Sequence, residues 1–231
     1  LNDIGDFSHL ILSSDLYYNF NDNITPRIKV ILNEEIYSSD NIINEDSNSL
    51  TFNYQNLYSD NRFFGTDNRE NTSRLIYGIE TNLEIKNQEF DLNFSQSYDS
   101  KKENNFSKKI NQKSHLSDYA IEGKSEFKNF SINFDSRLEK SSLRKKEMNV
   151  KFEIHNPLKI TLNYHETQKN AYAENSNDTE YLGISLEKEV FNNFIFSYNS
   201  NVDLKNNFSS YYDSIGVKIF DDCSQLNIQY S

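Results

Sequence analysis

The sequence has no tryptophan, a single cysteine at position 223, only two prolines and only six glycines in 231 residues. The lone cysteine rules out a disulfide within the chain and any paired-cysteine zinc motif. So little proline and glycine excludes flexible linkers, collagen-like sequence and glycine-rich repeats. No apolar run approaches the roughly 20 residues that a membrane-spanning helix requires. Positive charge is also short, with 24 Lys and Arg against 35 Asp and Glu and a formal charge of −11. A nucleic-acid partner normally meets a basic patch, so this balance argues against one. The chain starts at Leu1 without a secretory signal and reads as a fragment or processed segment, so the missing signal carries no information about compartment.

Phe and Tyr, by contrast, are plentiful. Aromatic residues make up 14% of the chain, too many for an ordinary disordered segment even though the mean hydropathy is negative. Their spacing is the main signal. In 74–85, Leu75, Tyr77, Ile79, Leu83 and Ile85 share one face, with Arg74, Gly78, Glu80, Asn82 and Glu84 on the other. The same period of two places Phe90, Leu92, Phe94 and Tyr98 together, then Phe130, Ile132 and Phe134, then Met148, Val150, Phe152 and Ile154. It returns at Leu158–Tyr164, Leu182–Leu186, Phe194–Tyr198, Ile215–Ile219 and Leu226–Tyr230. A period of two belongs to strands with one apolar and one polar face, whereas a helix would need apolar residues three and four apart.

The connectors add topology. Short links at 86–88, 128–129, 155–157, 191–193 and 220–222 alternate with long ones at 99–117, 139–147, 167–178 and 200–210. Strands of about ten residues joined in this order predict an antiparallel transmembrane β-barrel with tight periplasmic turns and longer external loops. A soluble β-sandwich also has short alternating strands, but nothing makes it keep long and short links in strict order. In a barrel only alternate residues meet lipid, which reconciles low hydropathy with a membrane location. Tyr98, Tyr164, Tyr181, Tyr198, Tyr211 and Tyr212, near strand ends, are expected in an interfacial aromatic girdle; they are also simply good strand formers.

One stretch is more specific than this pattern. It runs from the polar turn Asn44-Glu45-Asp46-Ser47 through a strand at Ser49-Leu50-Thr51-Phe52 to Asn56-Leu57-Tyr58-Ser59-Asp60-Asn61-Arg62-Phe63. Gly65, Asp67 and Arg69 follow, and then the strand Ser73-Arg74-Leu75-Ile76-Tyr77-Gly78. In order, these residues resemble a turn, a loop and a strand of the LPS-assembly protein LptD family. Asn68 departs from the family pattern, which often has Arg there. Ile24-Thr25-Pro26-Arg27-Ile28 resembles the start of a family strand upstream, and Phe220-Asp221-Asp222-Cys223 resembles a turn in the last part of the barrel. The specific likeness covers about 24–80 and 213–231.

The resemblance implies transport without catalysis or cofactor. Lipopolysaccharide would arrive from a periplasmic Lpt bridge through an upstream jellyroll domain and leave through a lateral opening in the barrel wall. An LptE-like lipoprotein would plug the barrel. The chain would be the C-terminal part of that outer-membrane barrel, about a dozen strands; its Tyr230-Ser231 ending, in place of a final aromatic residue, leaves open whether the closing strands and the gate belong to it. The resemblance further implies that Cys223 pairs with a cysteine outside this chain, as the oxidising periplasm permits. An unpaired thiol at a turn is the alternative, and Ser224 stands where some family members have a second cysteine. With 86–88 taken as periplasmic, 74–85 descends and the Asp60–Thr72 loop lies on the outer face. The competing readings are another outer-membrane barrel, such as a porin-like channel or receptor, and a soluble β-rich binding module.

The remaining groupings are ordinary. His9, His115, His155 and His165 lack metal-site spacing; His155 and His165 are candidates for cross-strand neighbours on the lumen face, where an ordinary polar lumen is the favoured reading over a metal site. Glu45-Asp46, Asp67 with Glu70, and Asp221-Asp222 are carboxylate pairs of a kind that holds divalent cations, and equally the carboxylates of solvated loops. Lys101-Lys102, Lys108-Lys109 and Arg144-Lys145-Lys146 are placed to meet LPS phosphates, or simply to keep loops soluble. No catalytic Ser-His-Asp grouping or phosphate-binding glycine loop is present, so no catalytic, cofactor or metal residues are expected.

Overall fold

The computed structural model describes residues 7–38, 52–63, 69–85, 88–172, 176–191, 193–206, 208–220 and 225–231. The chain is all-β. Its strands are β1 (Phe7–Tyr17), β2 (Ile24–Ser38), β3 (Arg74–Ile85), β4 (Gln88–Asp99), β5 (Tyr119–Glu126) and β6 (Phe130–Leu138). They continue as β7 (Lys145–Ile154), β8 (Lys159–Thr167), β9 (Thr179–Phe191), β10 (Phe194–Asp203), β11 (Ser209–Phe220) and β12 (Gln225–Tyr230). Each pairs antiparallel with its neighbours in sequence, forming one twelve-stranded sheet in the order β1 to β12. Among the described residues β1 and β12 do not pair, so the sheet is an unclosed, partial barrel. No helix among them is long and apolar enough to cross a membrane.

The sheet is inside-out relative to a water-soluble protein. Register places Ile28 opposite Tyr77, Tyr77 opposite Gln96, Leu75 opposite Tyr98, and Val150 opposite both Phe134 and Tyr164. These side chains belong to one face, and Leu12, Leu32, Leu75, Ile79, Leu92 and Phe196 on it are exposed. The polar face carries Arg27, Arg74, Glu80, Ser97, Asp99 and Arg137, and there it is the charged residues that are buried or half-buried. Burying a Leu, Ile or Phe is worth about 1.5–3 kcal/mol, so a whole face of them left open points to an apolar surround.

The long and short links keep their order, but two long ones contract. The 139–144 link has β7 starting at Lys145, and the 204–208 link lies between a β10 that runs to Asp203 and a β11 that starts at Ser209. Strand pairing there continues past the apolar band, where alternation gives no sign of it. Two girdle expectations fail. Tyr181 stacks on His165 of the polar face, ring centroids 4.6 Å apart, and the Tyr212 hydroxyl accepts from Gln229 on that same face. A bulge between Asn201 and Val202 shifts the β10–β11 register next to Tyr212. Tyr98, Tyr164 and Tyr198 do lie on the apolar side, while the Tyr211 side chain lies outside the described residues.

Candidate functional site

The described part of the connector between β2 and β3 does not project from the sheet. Its described part, Phe52–Phe63 with 69–73, folds onto the polar face, and most of its side chains are buried. Phe52 belongs to no strand. Asn53 instead caps a single helical turn, α1 (Tyr54–Leu57), accepting from the Asn56 backbone N–H at 2.8 Å. This turn packs across β4 and β5. The Tyr54 hydroxyl donates to Glu80 at 2.5 Å, and Gln55 donates to Glu122 at 3.2 Å. Burial, first, and the Glu80 carboxylate raise the Tyr54 pKa, while burial pushes Tyr58 up to about 12; both phenols stay protonated.

Cations from the strands hold the segment down. Lys29 donates to the Tyr58 carbonyl at 2.7 Å and pairs with Asp60 at 2.8 Å. The Arg27 guanidinium lies 3.8 Å over the Tyr58 ring while pairing with Asp15 at 2.7 Å and Glu80 at 3.0 Å. Arg74 donates to the carbonyls of Leu57 at 3.0 Å and Ser59 at 2.5 Å, turning the end of α1 back onto β3.

Arg62 is the centre of the segment. Fully buried, it donates to Glu70 from Nε at 2.6 Å and from Nη2 at 3.0 Å, and to Asp99 on β4 at 3.0 Å. The Phe106 ring lies 3.9 Å beneath its guanidinium, presented by α2 (Asn105–Lys109) in the β4–β5 link. Burial works against a charged Arg62, but Glu70 and Asp99 outweigh it and its pKa is raised. Arg74 Nε lies 3.0 Å from Glu70 Oε2 as an ion pair without hydrogen-bond alignment. Two cations and two carboxylates thus cancel away from water, the condition under which buried charge is tolerated.

The resemblance residues fall into definite structural roles. The Asn61 carboxamide oxygen accepts from the Glu70 backbone N–H at 3.2 Å and sets the turn around Arg62. Phe63 meets Phe106 edge-on at 5.7 Å. The Arg69 carbonyl accepts from Asn105. Tyr77 lies on the apolar face and donates to Gln96 at 2.5 Å. At Gly78 a Cβ would sit 2.6 Å from the Tyr58 hydroxyl and 2.4 Å from the Phe94 carbonyl, so only glycine lets the segment seat. Asn44, Glu45, Asp46, Ser47, Gly65, Asp67 and Cys223 lie outside the described residues.

A second arginine, missed in the sequence, ties the other long links together. Arg137 on β6 is fully buried and donates at 2.7 Å to each of Asp118, the Ile110 carbonyl and the Ala171 carbonyl. Its guanidinium also lies 4.7 Å from the Phe52 ring. A run of charged and polar residues at alternate positions on the polar face was the available signal. The two candidate histidine neighbours are apart: His165 is paired with Asn149 and Tyr181, and His155 lies in the β7–β8 link, its backbone N–H donating to the Asn129 carbonyl. Beyond α1 the polar face is open, with a cavity of about 490 Å³ bordered by Gln55, Glu122, Asn133, Asn149, Asn163 and His165.

An unclosed antiparallel sheet with its apolar face out and its polar face partly filled by its own connector is the wall of an outer-membrane-type β-barrel. The family model for LptD, LPS transport system D, matches residues 8–207, and the chain belongs to the LptD family. The match includes β4–β10, where the sequence offered only strand pattern, and it ends before the Phe220–Cys223 turn. No curated protein matches the chain in sequence. The family is one of lipopolysaccharide transport and assembly at the outer membrane, rather than of enzymes.

Proposed function

We propose that the chain forms part of the wall of an outer-membrane barrel that inserts lipopolysaccharide into the outer leaflet through a lateral opening. Family membership supports the cargo. The observation that carries the rest is the division of the sheet into an exposed apolar face and a polar face that is filled on one side and open on the other. A sugar headgroup is held by amide and imidazole groups such as those of Asn133, Asn149, Asn163 and His165, which line the cavity together with Glu122, Lys124, Asp135 and Lys151, while acyl chains follow the apolar phase. The motif at 220–223 supports placing residues 1–231 in the C-terminal part of the barrel domain. In this reading the long-link end faces outward, an LptE-like lipoprotein occupies lumen that the 52–72 segment leaves free, a periplasmic bridge delivers through an upstream domain, and Cys223 pairs with a cysteine outside this chain.

Depletion of the full-length protein in its cell tests the reading. Lipopolysaccharide should accumulate at the inner membrane and disappear from the surface. Normal surface lipopolysaccharide after depletion would refute it.

A further inference from the structure

At the long-link end described parts of three connectors, within 111–118, 139–144 and 168–170, border a cavity of about 580 Å³. Lys113, Lys140, Arg144, Lys146 and Lys169 line it. Its two carboxylates, Asp118 and Glu139, are already engaged: Asp118 by Arg137 and Lys146, at 2.7 and 3.0 Å, and Glu139 by the Ser142 hydroxyl. A chain with 35 acidic and 24 basic residues therefore reverses its balance here, with five cations against two acids. Solubility alone does not call for this reversal, because added acidic residues serve that end better than lysines. An adjoining cavity of about 620 Å³ brings Lys102 and Lys108, with one acid, Glu103, to the same rim.

The floor of the basin is built rather than loose. Arg137 bonds to two of the three connectors from below, at Ile110 and Ala171, and Asn111 donates to the Asn170 carbonyl at 2.9 Å across the gap. Lys140 is anchored through the Leu116 carbonyl at 3.1 Å. Among the described residues Arg144 and Lys169 make no close ion pair, and both line the cavity; Lys169 acts only at longer range on Asp178, which is itself paired with Lys205. A guanidinium beside several ammonium groups suits phosphate oxygens, which Arg engages two at a time and Lys as a point charge.

We propose that this basin binds the phosphate groups on the sugar headgroup of lipopolysaccharide at the outer mouth of the barrel, an inference that rests on the transport reading above. Of the two carboxylates, Asp118 is paired inside the wall with Arg137 and Lys146, and the cations at the rim outnumber the one that remains, Glu139.

The test is binding of lipopolysaccharide, and of the same material enzymatically dephosphorylated, to the full-length protein in nanodiscs. Phosphorylated material should bind more tightly, and the difference should shrink as salt rises. Replacing both exposed cations (R144Q with K169Q) should weaken phosphorylated binding about tenfold or more and leave dephosphorylated binding unchanged. The K159Q control, at an exposed lysine paired with Glu187 and lining neither this basin nor the polar-face cavity, should change neither. Equal affinity for the two preparations, or a double variant that binds like the parent, would overturn the site. Inorganic pyrophosphate binding as tightly as phosphorylated lipopolysaccharide would overturn its assignment to the lipid headgroup. Surface lipopolysaccharide in cells carrying the double variant separates the two claims: delivery with unaltered binding removes the basin alone, while loss of all lipopolysaccharide binding by the parent protein removes the transport reading.

Discussion

Arg62 and Asp99 meet inside the protein, Nη2 to Oδ2 at 3.0 Å, with neither side chain reaching solvent. They stand 37 positions apart and on different elements, one in the β2–β3 connector and the other at the end of β4. Their contact, with Glu70 between them, is what makes a connector part of the wall. A connector held this way covers part of the polar face and leaves the rest of it open.

Breaking this cluster on one side should be costly. Glu70→Gln leaves Arg62 and Arg74 facing Asp99 alone, and an uncompensated buried charge costs about 3–5 kcal/mol. The 52–72 segment should detach at lower temperature than in the parent protein, followed by near-ultraviolet circular dichroism of Tyr54 and Tyr58. An unchanged transition would show that the cluster does not hold the segment.

Gly78 offers an independent test that leaves every charge in place. Gly78→Val puts carbon where the Tyr58 hydroxyl and the Phe94 carbonyl approach, at 2.6 and 2.4 Å from the Cβ position. Tyr58 is expected to be expelled and Arg62 to become open to trypsin, while strand pairing elsewhere persists. Limited proteolysis with mapping of the cut reads this directly. Resistance at Arg62 equal to that of the parent would count against a seated segment.

The strands were legible because lipid and lumen impose opposite demands on alternate residues, as at Leu75 and Arg74 or Phe134 and Asp135. β5 was not, since Gly123 and Ser125 occupy its apolar-side positions; a Cβ at Gly123 would lie 2.1 Å from the Phe134 ring, which covers that site instead. The β7 start at Lys145 was hidden for another reason, as strands continue beyond the apolar band without alternation. The buried cluster was the least legible part. Arg62 and Glu70 sit in polar sequence that suggests an exposed loop, and their burial depends on Asp99 and Phe106, whose positions only the folded sheet determines.

Acid should loosen the long links through Asp118. Burial raises its pKa, but Arg137 and Lys146 outweigh burial and hold it below its ordinary 3.8. The folded form therefore binds its proton less readily than the unfolded form. The resulting stability is complete above the unfolded value and lost as pH falls below about 3.8 and through the folded value. Asp118→Asn should be less stable than the parent at neutral pH, with the gap closing in that acid window. Parallel pH-stability curves for the two proteins would contradict the Arg137 tie.

The apolar face carries the membrane argument, and single substitutions can separate its two sides. Ile79 is exposed at mid-strand on β3, and Asn163 is exposed at mid-strand on β8 on the opposite face. Were both exposed to water, lysine at either would cost little. With lipid outside and water within, Ile79→Lys should cost about 2–4 kcal/mol of folding into phospholipid vesicles, the penalty for a cation near the bilayer midplane, and Asn163→Lys should cost little. Folding yields in vesicles of defined thickness, read by the gel-mobility shift of folded barrels, distinguish the cases. Equal tolerance at the two sites would mean that the exposed Leu, Ile and Phe side chains meet something other than lipid.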